Sequence, residues 1–161
     1  MLELLSWLEG SALGQMLRAS GVWTYAIINL GHIAGISTLF GSAVLLDLRL
    51  LGFWRGIGLT AISRPTVRLA IVGFALAVAT GICMLSFNGS EYYANPFLLI
   101  KFPAIGLGLL NVVVVSRLRA WREKSQRELT PGEQRQLAAA GGFSLVCWLT
   151  ALGAGRMIGY W

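Results

Sequence analysis

Four long apolar segments dominate the chain, over residues 22–46, 66–87, 97–116 and 137–158. Each has about the 20 apolar residues that a helix needs to cross the hydrocarbon core of a bilayer. Charged and turn-forming residues separate the segments. The pattern therefore predicts an all-α protein: an integral membrane four-helix bundle that forms a single transmembrane domain over residues 1–161.

The residues before the first apolar segment follow a different pattern. Residues 2–18 mix leucine and tryptophan with glutamate and glutamine, as in amphipathic helices that lie at a membrane interface. We expect an N-terminal interfacial amphipathic helix over this stretch, interrupted near Gly10.

Turn and cap residues predict where the helices begin. Ser63 stands two residues before a proline and Asn95 directly before one, while residues 130–133 read Thr-Pro-Gly-Glu, a capping box with proline at the first helical position. After the third apolar segment, the sequence continues through charged residues 117–124 without glycine or proline. We therefore expect the third and fourth helices to extend beyond the membrane as a short charged hairpin.

Composition and charge agree with a membrane location. Hydrophobic residues make up 56% of the chain and charged residues 12%, whereas about a quarter of an average soluble protein is charged. Most of the basic residues lie in two connections, residues 47–68 and 117–135, so the net charge gives no reason to predict nucleic-acid binding. Because basic connections stay on the cytoplasmic side, both termini are predicted outside, in a multi-pass protein of the bacterial inner membrane.

Three ionisable residues fall inside the predicted spans: His32, Lys101 and Arg156. Such groups are costly in a membrane and are therefore candidates for function. At about 1.5 Å of rise per residue, His32 lies ~15 Å below the outer end of its helix, and the two cations lie ~3–7 Å below theirs. The arrangement indicates an elongated anionic ligand that meets the histidine deep in the bundle and the cations nearer the surface.

Haem b has these properties. A histidine nitrogen is a common axial ligand of haem iron, and propionate groups bind cationic side chains. We expect His32 to ligate the iron and Lys101 and Arg156 to bind the propionates. Met84 is the best candidate for a sixth ligand; the alternatives are a five-coordinate iron and a haem shared by two His32 side chains in a symmetric dimer.

Plain structural roles remain open for the same residues. Gly35 is predicted to face the cofactor, but glycines at this spacing, Gly31 and Gly35 on either side of His32, also bring membrane helices together. His32 could instead hydrogen-bond across the bundle to Asn29, Asn111 or a backbone carbonyl. The two cations could simply extend to lipid headgroups.

Asp47 and Arg49 mark the inner end of the first predicted helix. We expect them to anchor this end and to pair with Arg68 or Arg117 of neighbouring helices. A proton or ion path through Asp47 is the less favoured interpretation. The rest of the sequence has no nucleotide-binding loop and no Ser/His/Asp set.

A family resemblance points the same way. The stretch His-Ile-Ala-Gly-Ile-Ser-Thr-Leu-Phe-Gly-Ser-Ala-Val-Leu-Leu-Asp-Leu-Arg-Leu-Leu-Gly over residues 32–52 resembles the first helix of a group of small bacterial four-helix membrane proteins. More distantly, the first three helices resemble haem-containing membrane protoporphyrinogen oxidases and copper-resistance D-type membrane proteins. Those oxidases have a haem-ligating histidine early in one helix and a functional lysine at the start of a later one. The resemblance implies these roles for His32 and for Lys101, which stands in Asn-Pro-Phe-Leu-Leu-Ile-Lys-Phe-Pro over residues 95–103.

The leading functional hypothesis is a haem b-binding membrane protein with a redox or electron-transfer role. Its expected partners are the lipid bilayer and either further copies of itself or the other subunits of a larger oxidoreductase complex. One rival is a cofactor-free structural or accessory membrane subunit. The other is a small transporter component, against which the absence of a continuous polar stripe counts.

Overall fold

A computed structural model describes residues 2–92 and 94–160. The single-domain prediction also includes residues 1, 93 and 161, which lie outside the described residues. Seven α-helices follow one another in the described chain: α1 Leu2–Gly10, α2 Ala12–Ala19, α3 Val22–Leu51, α4 Leu59–Asn88, α5 Pro96–Arg117, α6 Arg119–Glu123 and α7 Pro131–Met157. Short 3-10 turns follow α4 and α7, and no strand is present in this part of the chain.

Four of the helices, α3, α4, α5 and α7, are long and apolar enough to cross a membrane. They contain the four apolar segments of the sequence except Ile158, which lies in the 3-10 turn after α7, so the all-helical class and the number of long helices are confirmed. The bounds are longer than the apolar segments alone. Asp47 and Arg49 do not end α3; the helix continues to Leu51 and stops where Gly52 adopts a left-handed conformation, with φ of 105°.

The predicted start of the second long helix was wrong. Ser63 does not cap it, because α4 already begins at Leu59, after the turn that contains Gly58, and Pro65 lies inside the helix. A proline at this position removes only one backbone hydrogen bond, the one to the Ala61 carbonyl. The glycine-rich turn therefore sets the helix start and the proline is tolerated.

The other two predicted starts are confirmed. The Asn95 side chain accepts a hydrogen bond from the Phe97 N–H at 3.0 Å, so α5 begins at Pro96. Thr130 and Glu133 form the capping box: the Glu133 N–H donates to Thr130 Oγ1 at 3.3 Å, and the Thr130 N–H donates to Glu133 Oε2 at 2.9 Å.

The third of the long helices, α5, does not continue into the charged connection. It ends at Arg117, where Leu118 is extended with ψ of 137°, and the chain then turns back through α6. This turn buries Ala120, which is 1% exposed, in a core cluster with Leu137 and with residues of α3, α4 and α5. The charged residues predicted a hairpin that projects from the bundle. The chain instead folds back at this end because the turn buries apolar side chains.

The predicted N-terminal interfacial helix is two helices that dock on the end of α4. The first helix ends at Gly10, as expected. Ser11 then caps α2, because its side chain accepts a hydrogen bond from the Gly14 N–H at 3.2 Å. The Arg18 guanidinium donates to the carbonyls of Ser86 and Phe87 at 2.9 and 3.1 Å. These carbonyls belong to the last turn of α4, where carbonyl groups have no hydrogen-bond donor within their own helix. The Arg18 guanidinium supplies the missing donors.

The long helices pack in the order α4, α3, α7, α5. Glycines allow the close contacts. A Cβ on Gly73 of α4 would lie 2.5 Å from the Leu39 backbone nitrogen of α3, and one on Gly141 of α7 would lie 3.1 Å from the Asp47 backbone carbonyl oxygen of α3. Over the described residues, α4 and α5 do not pack extensively on each other. The bundle therefore has one open side, between α4 and α5.

Contacts along these pairs align the ends of the helices. His32 near the start of α3 meets Thr80 near the end of α4, and Lys101 near the start of α5 meets Gly155 near the end of α7. We call this end, where α3 starts and α7 ends, the terminus-bearing end. The opposite end holds the two basic connections, and we call it the arginine-rich end.

Candidate functional site

His32 lies on the face of α3 that packs against α4. The ring rests on Gly81, where an added Cβ would lie 3.2 Å from the His32 Cε1 atom. Glycine at this position leaves room for the imidazole between the two helices. The His32 side chain is neither fully buried nor fully exposed.

The hydrogen bonds of Thr80 fix the tautomer of His32. The Thr80 hydroxyl donates to the Leu76 carbonyl at 2.6 Å, the usual bond of a threonine to its own helix. Its oxygen then acts as the acceptor toward His32 Nδ1, which is 3.0 Å away. We therefore assign the proton of the neutral ring to Nδ1, which leaves the Nε2 lone pair available to a ligand.

Lys101 approaches the histidine from α5. Its side chain extends over Gly155 of α7, where an added Cβ would lie 3.4 Å from Nζ. His32 and Lys101 are close enough to interact electrostatically. In the part of the chain that the structure describes, Lys101 Nζ has neither a hydrogen bond nor an ion pair. The structure thus places the predicted histidine within electrostatic range of an ammonium group that, among the described residues, has no anionic partner.

Arg156 has different neighbours. It follows Gly155 on α7, is exposed, and stacks on the Tyr160 ring with its Cζ 4.5 Å from the ring centroid. Its guanidinium also donates to the Tyr160 hydroxyl. In the described chain, its contacts are with Tyr160 and not with His32 or Lys101.

Met84 and Gly35 lie on either side of the histidine level. Met84 is one helical turn beyond Gly81 on α4, about 4.5 Å along the axis, and lines a cavity of about 250 Å³ together with Tyr25, Phe87 and Tyr92. Gly35 faces the α4 backbone, where an added Cβ would be 2.7 Å from the Ala77 nitrogen. This close helix contact occupies the space beside Gly35.

The space available for a macrocycle is limited within one chain. A second cavity of about 310 Å³, lined by Glu9, Arg18 and Ser90 among others, lies between the N-terminal helices and the end of α4. His32 lines neither of the two cavities, and a group as large as haem needs the upper part of the ~300–1,000 Å³ range of ligand sites. The donor atoms therefore fit a haem, but neither of these two cavities encloses one.

Other metal chemistry has little support in the described residues. They contain no group of three or more histidine, cysteine or acidic side chains that could hold a metal ion together. A haem iron needs only one protein ligand, with the porphyrin nitrogens supplying the rest. His32 alone would meet this requirement.

Sequence reasoning missed Thr80 and Gly81. Of the partners that the sequence suggested for His32, Asn111 instead donates to the Ala140 carbonyl of α7 at 3.0 Å, whereas a backbone group, that of Ala77, does interact with the ring. A usable signal was the pair Thr80-Gly81 in the second apolar segment, because antiparallel neighbours place the end of that helix beside the start of the first.

Comparison of the chain with known protein families, curated proteins and solved structures found no match.

Proposed function

We propose that this chain is a haem b-binding protein of the bacterial inner membrane with a redox or electron-transfer role. Both termini would lie outside, and the four long apolar helices would cross the bilayer. The basic connections at the arginine-rich end support this orientation.

The observation that carries the proposal is the geometry of His32. An axial histidine ligand needs a free ring nitrogen, and its other N–H is usually held by a hydrogen-bond acceptor. Thr80 Oγ1 provides this acceptor at 3.0 Å from Nδ1. Nε2 is the nitrogen left for iron.

Lys101 supports the same proposal. An ammonium group within the span of an apolar helix needs an anionic partner, or it must extend to the interface. A haem propionate would provide the anion beside His32. The exposed Arg156 would reach a propionate only by releasing Tyr160.

The incomplete enclosure supports the expected oligomer. α4 and α5 do not pack extensively on each other over the described residues, and an elongated ligand would enter the level of His32 and Lys101 from this side. A second copy of the chain or another subunit would cover the exposed face of the macrocycle. A homo-oligomer or a larger oxidoreductase complex would therefore complete the site.

A bound haem would supply one-electron redox chemistry. The protein residues have simpler tasks. Thr80 holds the His32 ring in one tautomer and orientation, Lys101 neutralises an acidic edge, and the apolar helix faces exclude water.

The test is an optical spectrum of the protein purified in mild detergent, air-oxidised and then reduced, with a pyridine haemochrome assay of haem per chain. We expect a Soret band in the wild type, no such band in His32→Ala, and a normal band in Asn29→Ala, a matched change one turn away on α3. One haem per two chains would support a shared site. A colourless wild type after expression with ample haem would refute the proposal.

A cofactor-free accessory subunit is the second candidate. Two observations favour it: Thr80 already satisfies one nitrogen of His32, and His32 does not line either of the two cavities described above. In that case His32 is a polar helix contact. The purified wild type would be colourless, and His32→Ala would lower the melting temperature without any optical change.

A further inference from the structure

A second polar group is buried far from His32, near the arginine-rich end. It consists of Asp47 of α3, Ser63 of α4 and Ser144 of α7, which are 4%, 2% and 6% exposed. The α3–α4 contact continues beyond this level, since Leu50 and Leu59 share one core cluster. The antiparallel contact of Gly73 with Leu39 places Asp47 of α3 opposite Pro65 of α4, so Ser63 lies within about 3 Å of the level of Asp47 along the helix axes.

Two atoms of this group lack partners. Within the described part of the chain, Asp47 Oδ2 and Ser63 Oγ are fully buried and have no hydrogen bond, whereas Ser144 interacts with the Asp47 carboxylate. A buried polar atom without a partner is costly, and a buried charge without one is more so. Two such atoms at one level indicate a missing ligand that both could bind.

The arginines nearby do not fill this role. Among the described residues, no arginine forms an ion pair with Asp47, so the expected pairing with Arg68 or Arg117 is absent. Arg49 on the same helix donates instead to the Ile57 carbonyl at 3.0 Å. The remaining arginines on the adjoining stretches of α4 and α5 are exposed: Arg64, Arg68 and Arg117. At this level α7 presents no charge, only Ser144.

Water has little access to the group. Gly141 brings the α7 backbone onto α3 at Asp47, where an added Cβ would lie 3.1 Å from the Asp47 backbone carbonyl oxygen and 3.0 Å from the Leu50 Cβ, and Asp47 Oδ2 itself is buried. Leu50 and Leu137 seal the level toward the arginine-rich end. A carboxylate enclosed in this way needs one positive charge beside it.

We infer that Asp47, Ser63 and Ser144 form a binding site for one small monovalent cation, a proton or a sodium ion. Such an ion neutralises the carboxylate, and for sodium the two hydroxyl oxygens add hard ligands of the type that such cations prefer. This site is separate from His32 and does not depend on haem binding.

The experiment is thermal unfolding of the purified protein in uncharged detergent between about pH 5 and about pH 9, in sodium chloride or in choline chloride of equal ionic strength. A ligand that binds only the folded state raises its melting temperature. We expect the wild type in choline to lose at least about 2–4 °C as the pH rises. Restoration by sodium identifies a sodium site, whereas no effect of sodium identifies a proton site.

Three variants make the result specific. Asp47→Asn removes the charge and should abolish the dependence on both pH and sodium, and Ser144→Ala, which keeps the carboxylate, should weaken sodium binding or shift the pH response. Ser42→Ala changes another buried serine of α3 and should respond as the wild type does. If the wild type and Asp47→Asn respond alike to pH and sodium, the inference is wrong.

Discussion

The imidazole of His32 is held by the hydroxyl of Thr80, and the Ala77 backbone also interacts with the ring. Thr80 Oγ1 holds His32 Nδ1 at 3.0 Å and is itself held by the Leu76 carbonyl at 2.6 Å. A ring fixed by such a chain keeps its other nitrogen pointing in one direction. Residues that orient a metal-binding histidine in this way typically change metal affinity about 10–100-fold when mutated.

Thr80→Val tests this role, because valine keeps the shape and removes the acceptor. We expect haem to bind about 10–100-fold more weakly, measured by titrating haem into apoprotein and following the Soret band. Thr38→Val is the control, since Thr38 makes the same bond to its own helix, at 2.8 Å to the Ala34 carbonyl, without touching the histidine. Equal affinities for Thr80→Val and wild type would contradict an orienting role.

The sequence alone identified His32 and Lys101 because ionisable residues inside apolar segments are rare. The structure brings these two together. Thr80 was missed because a threonine in a membrane helix usually bonds its own backbone, so that only its place beside Gly81 near the end of the second apolar segment distinguishes it. The position of the Arg156 side chain could not be predicted from the sequence either, because its stacking on Tyr160 depends on how the last turn of α7 ends.

At the scale of elements, the contact between α3 and α4 depends on two glycines, Gly35 and Gly73. An added Cβ on Gly73 would lie 2.5 Å from the Leu39 nitrogen and 2.8 Å from the Gly35 oxygen. Backbone atoms cannot move aside as a flexible side chain can, so the helices must separate.

We therefore expect Gly73→Ala to destabilise the protein by about 1–3 kcal/mol, measured as a loss of melting temperature in detergent. Gly41→Ala is the matched control on α3, because an added Cβ there has nothing within 4 Å. This change should be neutral or slightly stabilising, since alanine favours the helix. A melting temperature of Gly73→Ala equal to that of Gly41→Ala would contradict this role of the close contact.

Docking of the N-terminal helices should depend on pH through Glu9. Hydrogen bonds from the Ser90 side chain and backbone, together with Arg18, hold the pKa of Glu9 below its ordinary value of 4.5. A lowered pKa means that this carboxylate stabilises the docked state above about pH 4.5 and that the stabilisation is lost as the pH falls through the lowered value.

A nitroxide label at Met16→Cys, an exposed position on α2, would report this release by electron paramagnetic resonance once the native cysteines are replaced by serine. We expect a mobile component to appear below about pH 4.5 and to be present already at neutral pH in Glu9→Gln. Glu3→Gln should keep the wild-type response. A label that stays immobile in Glu9→Gln would exclude this role of Glu9.

Helix starts were predictable where a side chain caps the helix, as Asn95 and Thr130 do. They were not predictable where the backbone turns for another reason. α4 starts at the Gly58 turn in spite of Pro65, and α5 ends at Arg117 because burial of Ala120 requires the chain to turn back. These choices are made by packing between distant segments, which local sequence does not record.

At the scale of the whole molecule, the order α4, α3, α7, α5 could not be read from the sequence, because all four long helices are apolar on most of their surface. Only small residues distinguish the packed faces, such as Gly108 against Trp148 in the α5–α7 contact. The open side that results is the feature on which the proposed oligomer depends.

Three exposed glycines allow a direct test of the orientation of the chain in the membrane. A Cβ added at Gly10, Gly56 or Gly159 has nothing within 4 Å, so cysteine fits at each position without disturbing the fold. Gly10 and Gly159 lie at the terminus-bearing end, and Gly56 lies at the arginine-rich end. The variants would be made in a background in which Cys83 and Cys147 are serine.

A membrane-impermeant maleimide added to intact spheroplasts should label Gly10→Cys and Gly159→Cys, but should label Gly56→Cys only after lysis. The physical reason is that Lys and Arg side chains of short connections are retained on the cytoplasmic side. The two connections at the arginine-rich end hold ten such residues: Arg49, Arg55, Arg64, Arg68, Arg117, Arg119, Arg122, Lys124, Arg127 and Arg135. The reverse labelling pattern would place His32 and Lys101 in the cytoplasmic half, so a haem partner would then have to be sought on that side. Labelling of all three positions in intact spheroplasts would mean that the four helices do not form a sealed membrane domain.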